Sequence, residues 1–272
     1  MSYENDYLDL LEQIVDDGEA RADRTGVGTR SIFGARLIID LQREFPLLTT
    51  KRVFWRGVVE ELLWIVRGSG DISELTERDV HIWDEWDEGF RWAPYGPALR
   101  GCYPSANASD QVNELIRGLR EDPSSRRHVL TTWIPGDVER TGTMGGLALP
   151  PCHGLVTQFY VRDGEFLDCQ TYQRSADMFL GVPFNLASYA LLTHLVAAQA
   201  GYKPGTLTWL AGDAHVYSNH VSVVATQLHR IVDDAPLLRV MPGVESIDDY
   251  RFEDLALVGY SPQRSLRAPV AV

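Results

Sequence analysis

The sequence predicts an α+β fold, a mixed β-sheet scaffold with helices packed on it. Apolar stripes at helical spacing are interleaved with runs rich in strand formers, and one such run folds back on itself at a turn signal. The chain has 272 residues, 44% of them apolar, which suits one sizeable core and a single domain over 1–272.

The elements follow in order. Tyr7, Leu8, Leu11, Ile14 and Val15 recur at helical spacing, with Gly18 as a stop. Ser31 to Leu41 reads as a strand, and a second helix runs from about Phe54 to Val66. Val58, Leu62 and Ile65 form its apolar stripe, and Glu61 falls on that stripe while Glu60 points elsewhere. A carboxylate there either reaches water at the helix edge or is partnered and used. Val112, Leu115, Ile116 and Leu119 signal a third helix after a cap at Ser109. His128 to Trp133 is a strand, and Leu155 to Arg174 a hairpin turning at Asp163-Gly164. A long apolar helix follows Asn185 and stops near Gly201. Strands near Thr206–Leu210 and Leu237–Val240 flank a helix from about Val216 to Ile231.

Charge and cysteine usage narrow the function classes. With 25 basic against 38 acidic side chains, a net charge of −13 opposes a general nucleic-acid surface, which needs clustered Lys and Arg. A small anionic ligand needs only a few arginines. Cys102, Cys152 and Cys169 have neither disulfide-framework nor zinc-ligand spacing, so no metal is expected. The acidic stretch Met1 to Leu11 lacks a signal-peptide core, and no apolar run reaches the ~18 residues of a membrane span. The expected setting is cytoplasmic, with no membrane partner.

Five runs carry possible chemistry. Leu149-Pro150-Pro151-Cys152-His153-Gly154 holds a thiol between rigid prolines and a small residue. Alone, such a cysteine is more commonly a small buried hydrophobe. Gln173-Arg174-Ser175-Ala176-Asp177, followed by Gly181-Val182-Pro183-Phe184-Asn185, could hold an anion and orient a polar ring, or be a solvated strand end. Asp23-Arg24-Thr25-Gly26-Val27-Gly28-Thr29 lacks the ending of a phosphate-binding P-loop, but could close an arginine onto phosphate. Arg126-Arg127 alone is a charged turn. Gly212-Asp213-Ala214-His215-Val216-Tyr217-Ser218-Asn219-His220 places hydrogen-bonding groups at a strand-to-helix junction.

In order, these motifs resemble the thymidylate synthase family over nearly the whole chain, from about Tyr7 to Arg267-Ala268-Pro269-Val270-Ala271-Val272. Thr49-Thr50-Lys51-Arg52, Glu61-Leu62-Leu63-Trp64 and Ile82-Trp83-Asp84-Glu85-Trp86 add to the match. The resemblance implies a thymidylate synthase-like fold and a methyltransferase with 5,10-methylenetetrahydrofolate as co-substrate. Cys152 would attack C6 of a uracil nucleotide, dUMP or UMP, making C5 the nucleophile toward the methylene carbon. Glu61 would organise waters and protonate the departing folate and the base carbonyl. Tyr95 would help remove the C5 proton, Arg174 would favour the thiolate, and Asp177 would join the catalytic set.

The same resemblance implies a phosphate pocket of Arg24, Arg174 and Ser175, completed by Arg126 and Arg127 across a homodimer interface. His215 and Tyr217 would bind the sugar 3′-hydroxyl, Asn185 the uracil edge, with His153, Gln173 and Asp177 around the nucleotide. Related cytosine-nucleotide hydroxymethylases carry aspartate at the position of Asn185. Reduced folate would meet Ile82, Trp83, Trp86, Leu149, Asp177, Gly181, Phe184, Tyr217 and Ala271.

Four segments depart from the family pattern: the stretch after Trp86 is shortened, Trp133-Ile134 stands where the family has Trp-Asn, and two further runs are altered. Where the family reads Gly-Pro-Val-Tyr-Gly-x-Gln-Trp-Arg, this chain has Trp92-Ala93-Pro94-Tyr95-Gly96-Pro97-Ala98-Leu99-Arg100. A Gly-rich insertion, Thr141-Gly142-Thr143-Met144-Gly145-Gly146, precedes the cysteine. Either the changes are drift, or they mark a specialised paralogue, for example in nucleoside natural-product synthesis. A hydroxymethylase, in which water traps the methylene intermediate, and a catalytically idle nucleotide-binding protein are the alternatives.

Overall fold

The computed structural model describes residues 2–87, 89, 91–102, 105 and 109–270. The helices are α1 (Tyr3–Asp17), α2 (Trp55–Val66), α3 (Ser73–Thr76), α4 (Tyr95–Arg100), α5 (Gln111–Glu121), α6 (Pro135–Val138), α7 (Gly181–Ala200) and α8 (Val221–Leu228). The strands are β1 (Glu19–Arg21), β2 (Thr29–Asp40), β3 (Val129–Leu130), β4 (Thr157–Arg162), β5 (Phe166–Asp177), β6 (Lys203–Tyr217), β7 (Leu237–Val240) and β8 (Leu255–Val258). Six of them form one mixed sheet in the order β1-β2-β6-β5-β4-β3, and β7 pairs with β8 alone. This is the expected α+β architecture.

Only β5 and β6 run parallel, and the crossover between them is α7. Their register sets Ser175 beside Asp213 and Asp177 beside His215, so polar residues from two distant motifs meet at one end of the sheet. The β4–β5 hairpin turns at Asp163-Gly164, both with positive φ, as a two-residue turn of the right twist requires.

Helix α7 lies against β5 and β6 on one side and α2 and α5 on the other. It is apolar all round because it is surrounded. No membrane-length apolar run was expected, yet this helix is long and apolar enough; 78% of that stretch is buried in the fold, as in a core helix.

Four boundaries differ from expectation. The strand expected over His128–Trp133 is only Val129–Leu130, the two residues that pair with β4. Helix α7 starts at Gly181, four residues before Asn185, because Pro183 sits in a first turn whose N–H groups have no intrahelical partner. Strand β6 extends to Tyr217, and α8 begins only at Val221. Asp213, His215 and Tyr217 alternate with Ala214 and Val216, a period of two, and pairing with both β2 and β5 holds them extended. Helix α5 is capped by Asp110, which accepts from the backbone N of Asn113 at 3.1 Å, and Ser109 lies one residue outside.

Glu60 also departs from expectation. It is buried and paired with Arg78 at 3.0 Å.

The sheet buries one face and opens the other. Ala35, Leu37 and Ile39 of β2 are buried while Ile38 is exposed; Phe159 of β4 is buried while Tyr160 is 65% exposed. Val129 of β3 and Tyr172 of β5 are exposed as well, so four strands leave large apolar side chains uncovered.

Candidate active site

The segment carrying Cys152 is clamped from β5. Arg174 donates from Nε to the carbonyl of Pro151 at 2.8 Å and from a guanidinium nitrogen to that of Pro150 at 3.2 Å. Its backbone N–H donates to the carbonyl of Cys152 at 2.9 Å. The chain then turns at Gly154 (φ +60°), where a Cβ would stand 1.8 Å from the Tyr189 hydroxyl. Only glycine fits.

Tyr95, the first residue of α4, reaches this loop. Its hydroxyl lies 3.3 Å from the Cys152 sulfur and accepts from the Cys152 backbone N at 3.2 Å. Burial raises the thiol pKa, and the Tyr95 hydrogen bond and the Arg174 charge oppose it without winning. Arg174 was expected to make a thiolate. It does favour one, but desolvation outweighs it, and two of its nitrogens are engaged with carbonyls.

Beyond Tyr95 lies an aromatic wall. Trp83 meets Tyr95 edge-on at 6.1 Å and Trp86 at 5.7 Å between ring centroids. The Trp83 indole donates to Glu61 Oε1 at 2.6 Å. Burial pushes the Glu61 carboxyl up to about 7, the indole bond opposing. Glu61 is therefore the partnered, inward carboxylate, and not a side chain reaching water at a helix edge. Ile82, Trp86, Leu149 and Phe184 are half-buried apolar residues packed on the core.

On the other side of Tyr95, His153 stacks on its ring at 4.1 Å and 14°. His153 Nδ1 lies 2.9 Å from the Tyr189 hydroxyl, and burial holds the imidazole pKa down to about 3, so it is neutral at any working pH. Tyr189 was missed in the sequence. Its signal was the spacing Asn185 to Tyr189, four residues apart and so on one face of α7.

A relay of amides fixes the pocket's polar end. Trp209 Nε1 donates to Gln173 Oε1 at 2.9 Å, and Gln173 Nε2 donates to Asn185 Oδ1 at 3.0 Å. An indole only donates, so it sets the flip of Gln173 and through it that of Asn185. Asn185 is left with its Nδ2 to donate elsewhere.

The end of β6 is similarly organised. His215 Nδ1 lies 3.1 Å from Asp213 Oδ1, Arg21 pairs with the other oxygen at 3.3 Å, and the His215 ring meets Tyr217 edge-on at 5.3 Å. Asp23 folds the Arg24 turn, accepting from the N–H of Thr25 at 3.0 Å and Gly28 at 2.7 Å. Burial raises the Tyr217 phenol, helped by the charges of Asp177 and Asp23 and opposed by Arg24. These groups share one neighbourhood.

Asp177 has local work as well. Its Oδ1 accepts from Phe179 N at 3.0 Å and Leu180 N at 3.1 Å, fixing the turn into α7. Lys51 is buried beneath, donating to the Phe179 carbonyl and lying 3.6 Å from that ring's centre. Burial pulls its ammonium down to about 7, with Asp177 opposing.

A cysteine loop clamped by arginine, a tyrosine, an indole-bound glutamate and an asparagine set by its neighbours are drawn from α2, α4, β5, β6, α7 and the connecting segments of Trp83 and Cys152. The family model for thymidylate synthase matches residues 5–272. The chain belongs to the thymidylate synthase family. It is 46% identical over 292 aligned residues to the thymidylate synthase of Equine herpesvirus 2 (strain 86/87), covering 99% of this chain and 98% of that protein. It is a methyltransferase of the thymidylate synthase type.

Two of the segments that depart from the family pattern, Trp92–Arg100 and the Gly-rich run before the cysteine, touch each other. Trp92 N donates to the Gly146 carbonyl and Ala148 N to the Trp92 carbonyl, both at 2.9 Å, with Trp92 bridged to Leu147. The Gly-rich insertion thus ties the strand-like approach to Tyr95 to the approach to Cys152. Gly181 opens α7, and Ser175 faces Asp213 in the sheet. Arg126 and Arg127 are exposed before β3 and join nothing in this chain's own pocket among the described residues. Ala271 lies outside the described residues.

Proposed function

We propose that this enzyme methylates C5 of dUMP with 5,10-methylenetetrahydrofolate, through a transient bond between Cys152 and C6. The observation that carries this reading is the Tyr95 hydroxyl, 3.3 Å from the Cys152 sulfur, with the Glu61–Trp83 pair on its far side. Sulfur adds to C6, and C5 is the next ring atom. A hydroxyl touching the sulfur is therefore in reach of the C5 proton. Glu61, titrating near 7, can hold or release a proton at neutral pH. Asn185 would donate from Nδ2 to the uracil O4.

The residues present suit a reduced folate. Trp83 and Trp86 pack together, Ile82, Leu149 and Phe184 are partly buried apolar side chains, and these five would line a planar ring, with Asp177 and Gly181 beside it. When bound, the folate supplies the methylene carbon and a hydride. Arg24, Arg174 and Ser175 would hold the phosphate, with His215 and Tyr217 at the sugar.

A homodimer belongs to this reading. The exposed apolar face of the sheet supports it, and Arg126 and Arg127 of each chain would complete the partner's phosphate pocket. Free thiols at Cys102, Cys152 and Cys169 suit a reducing, cytoplasmic setting. The rebuilt Trp92–Arg100 segment favours a second reading, in which UMP is accepted or water traps the methylene group to give a hydroxymethyl product.

The test is incubation with methylenetetrahydrofolate and, separately, dUMP, UMP, dCMP and CMP, with products identified by mass. Methylated dUMP with an equal yield of dihydrofolate is expected. Tetrahydrofolate with a hydroxymethyl product would give the second reading instead. Cys152→Ser should abolish turnover yet still bind dUMP; full activity in that variant would sink the covalent step.

A further inference from the structure

His220 ends the 3₁₀ turn Ser218–His220 after β6 and is completely buried. Its Nε2 lies 2.8 Å from the carbonyl oxygen of Pro269. A carbonyl can only accept, so Nε2 carries the hydrogen, and Nδ1 has no hydrogen-bond partner among the described residues. The ring also packs 5.4 Å from Tyr217 and 5.6 Å from Phe179. A buried ring with one orphaned nitrogen is unfavourable, which gives weight to the bond that it does make.

That bond ends a series of tethers. After β8 the chain is held by Gln263 N to the Thr49 carbonyl at 2.8 Å, then by Arg230 to the Arg264 carbonyl at 2.7 Å. Among the described residues, His220 to Pro269 is the last hydrogen bond along this segment. Pro269 and Val270 are themselves exposed, so among the described residues this bond and the packing of Leu266 and Ala268 hold the segment's end down. The anchor is placed between two parts of the site. Tyr217 stands at its nucleotide end, and Phe179 leads through Leu180 into the turn that carries Gly181 and Phe184.

We propose that His220 is a positioning residue, pinning segment 265–270 at the rim of the pocket and coupling that pin to folate binding. This rests on the placement of folate along the Phe184 side given above. The test compares His220→Phe, which keeps a ring but removes the donor, with His220→Gln, which keeps a donor at similar reach. Amide exchange of the peptide spanning 265–270 should rise in H220F and return toward wild type in H220Q. The KM for methylenetetrahydrofolate should rise about fivefold in H220F, the effect of losing one hydrogen bond of ordinary net strength, while the KM for dUMP changes less than twofold. Should H220F fail to fold, His220→Met serves as the donor-free variant. Unchanged exchange, or equal behaviour of donor-bearing and donor-free variants, overturns the assignment. If exchange follows the donor while wild-type protein never consumes the folate, the pin stands and the coupling to folate falls.

Discussion

In the proposed mechanism Glu61 is the most consequential single side chain after the thiol. Its carboxyl sits near 7 because burial disfavours its charge, while the 2.6 Å bond from Trp83 steadies whatever charge it carries. If its protonated form donates during turnover, kcat falls as pH rises through about 7. Glu61→Gln should flatten that limb and lower kcat by roughly 10²–10⁴-fold, read from pH–rate profiles. A profile in E61Q with the wild-type break intact would remove Glu61 from the assignment. Tyr189→Phe takes the hydroxyl from His153 Nδ1, and leaving a buried nitrogen unpaired should cost about 1–3 kcal/mol in stability, read by urea unfolding. Residue types and order made Cys152, Glu61, Tyr95 and Asn185 legible in the sequence. Arg174's grip on two proline carbonyls was not, because that bond depends on where β5 passes the loop, and neighbouring sequence says nothing of this.

At the scale of elements, the loop into β4 and helix α7 are fitted to each other at one point. Gly154→Ala would place a methyl group at φ +60° and 1.8 Å from the Tyr189 hydroxyl. The left-handed conformation alone costs roughly 1–2 kcal/mol, and the collision adds to it. The variant should lose most activity and several degrees of melting temperature; adding Tyr189→Phe should recover part of the melting temperature by removing the atom struck first. No recovery would mean that backbone strain alone is responsible. Periodicity revealed α1, α2, α5 and the β4–β5 hairpin because each pattern is local. The start of α7 and the length of β6 were misjudged for different reasons: Pro183 is accommodated in the first turn of α7, whereas β6 is held extended by β2 and β5, strands far away in sequence.

For the whole molecule, the open sheet face is the feature to probe. Tyr160→Asp puts a charge where four strands expose apolar side chains, and sedimentation should shift from dimer to monomer with activity lost. A monomeric wild type would remove the shared-pocket reading. Mixing Cys152→Ser with the Arg126→Glu, Arg127→Glu double variant should recover activity that neither has alone. Stability also depends on pH through two buried groups of opposite sign. Glu61 is raised from 4.5 to about 7, so the folded chain keeps a proton that the unfolded chain has lost, and its contribution falls as pH rises across that window. Lys51 is lowered from 10.5 to about 7, so the unfolded chain binds the extra proton and stability rises with pH between those values.

The amide relay has a consequence for how easily this enzyme could change its base. Trp209 and Gln173 impose direction, and both do so by donating. An aspartate in place of Asn185 would accept from Gln173 just as well, leaving its second oxygen to receive an exocyclic amine. The supporting chain would not need rebuilding. If Asn185 reads the base as proposed, uracil and cytosine are separated by one side chain on an unchanged frame, and the specificity of the pocket is open to evolution at a single codon.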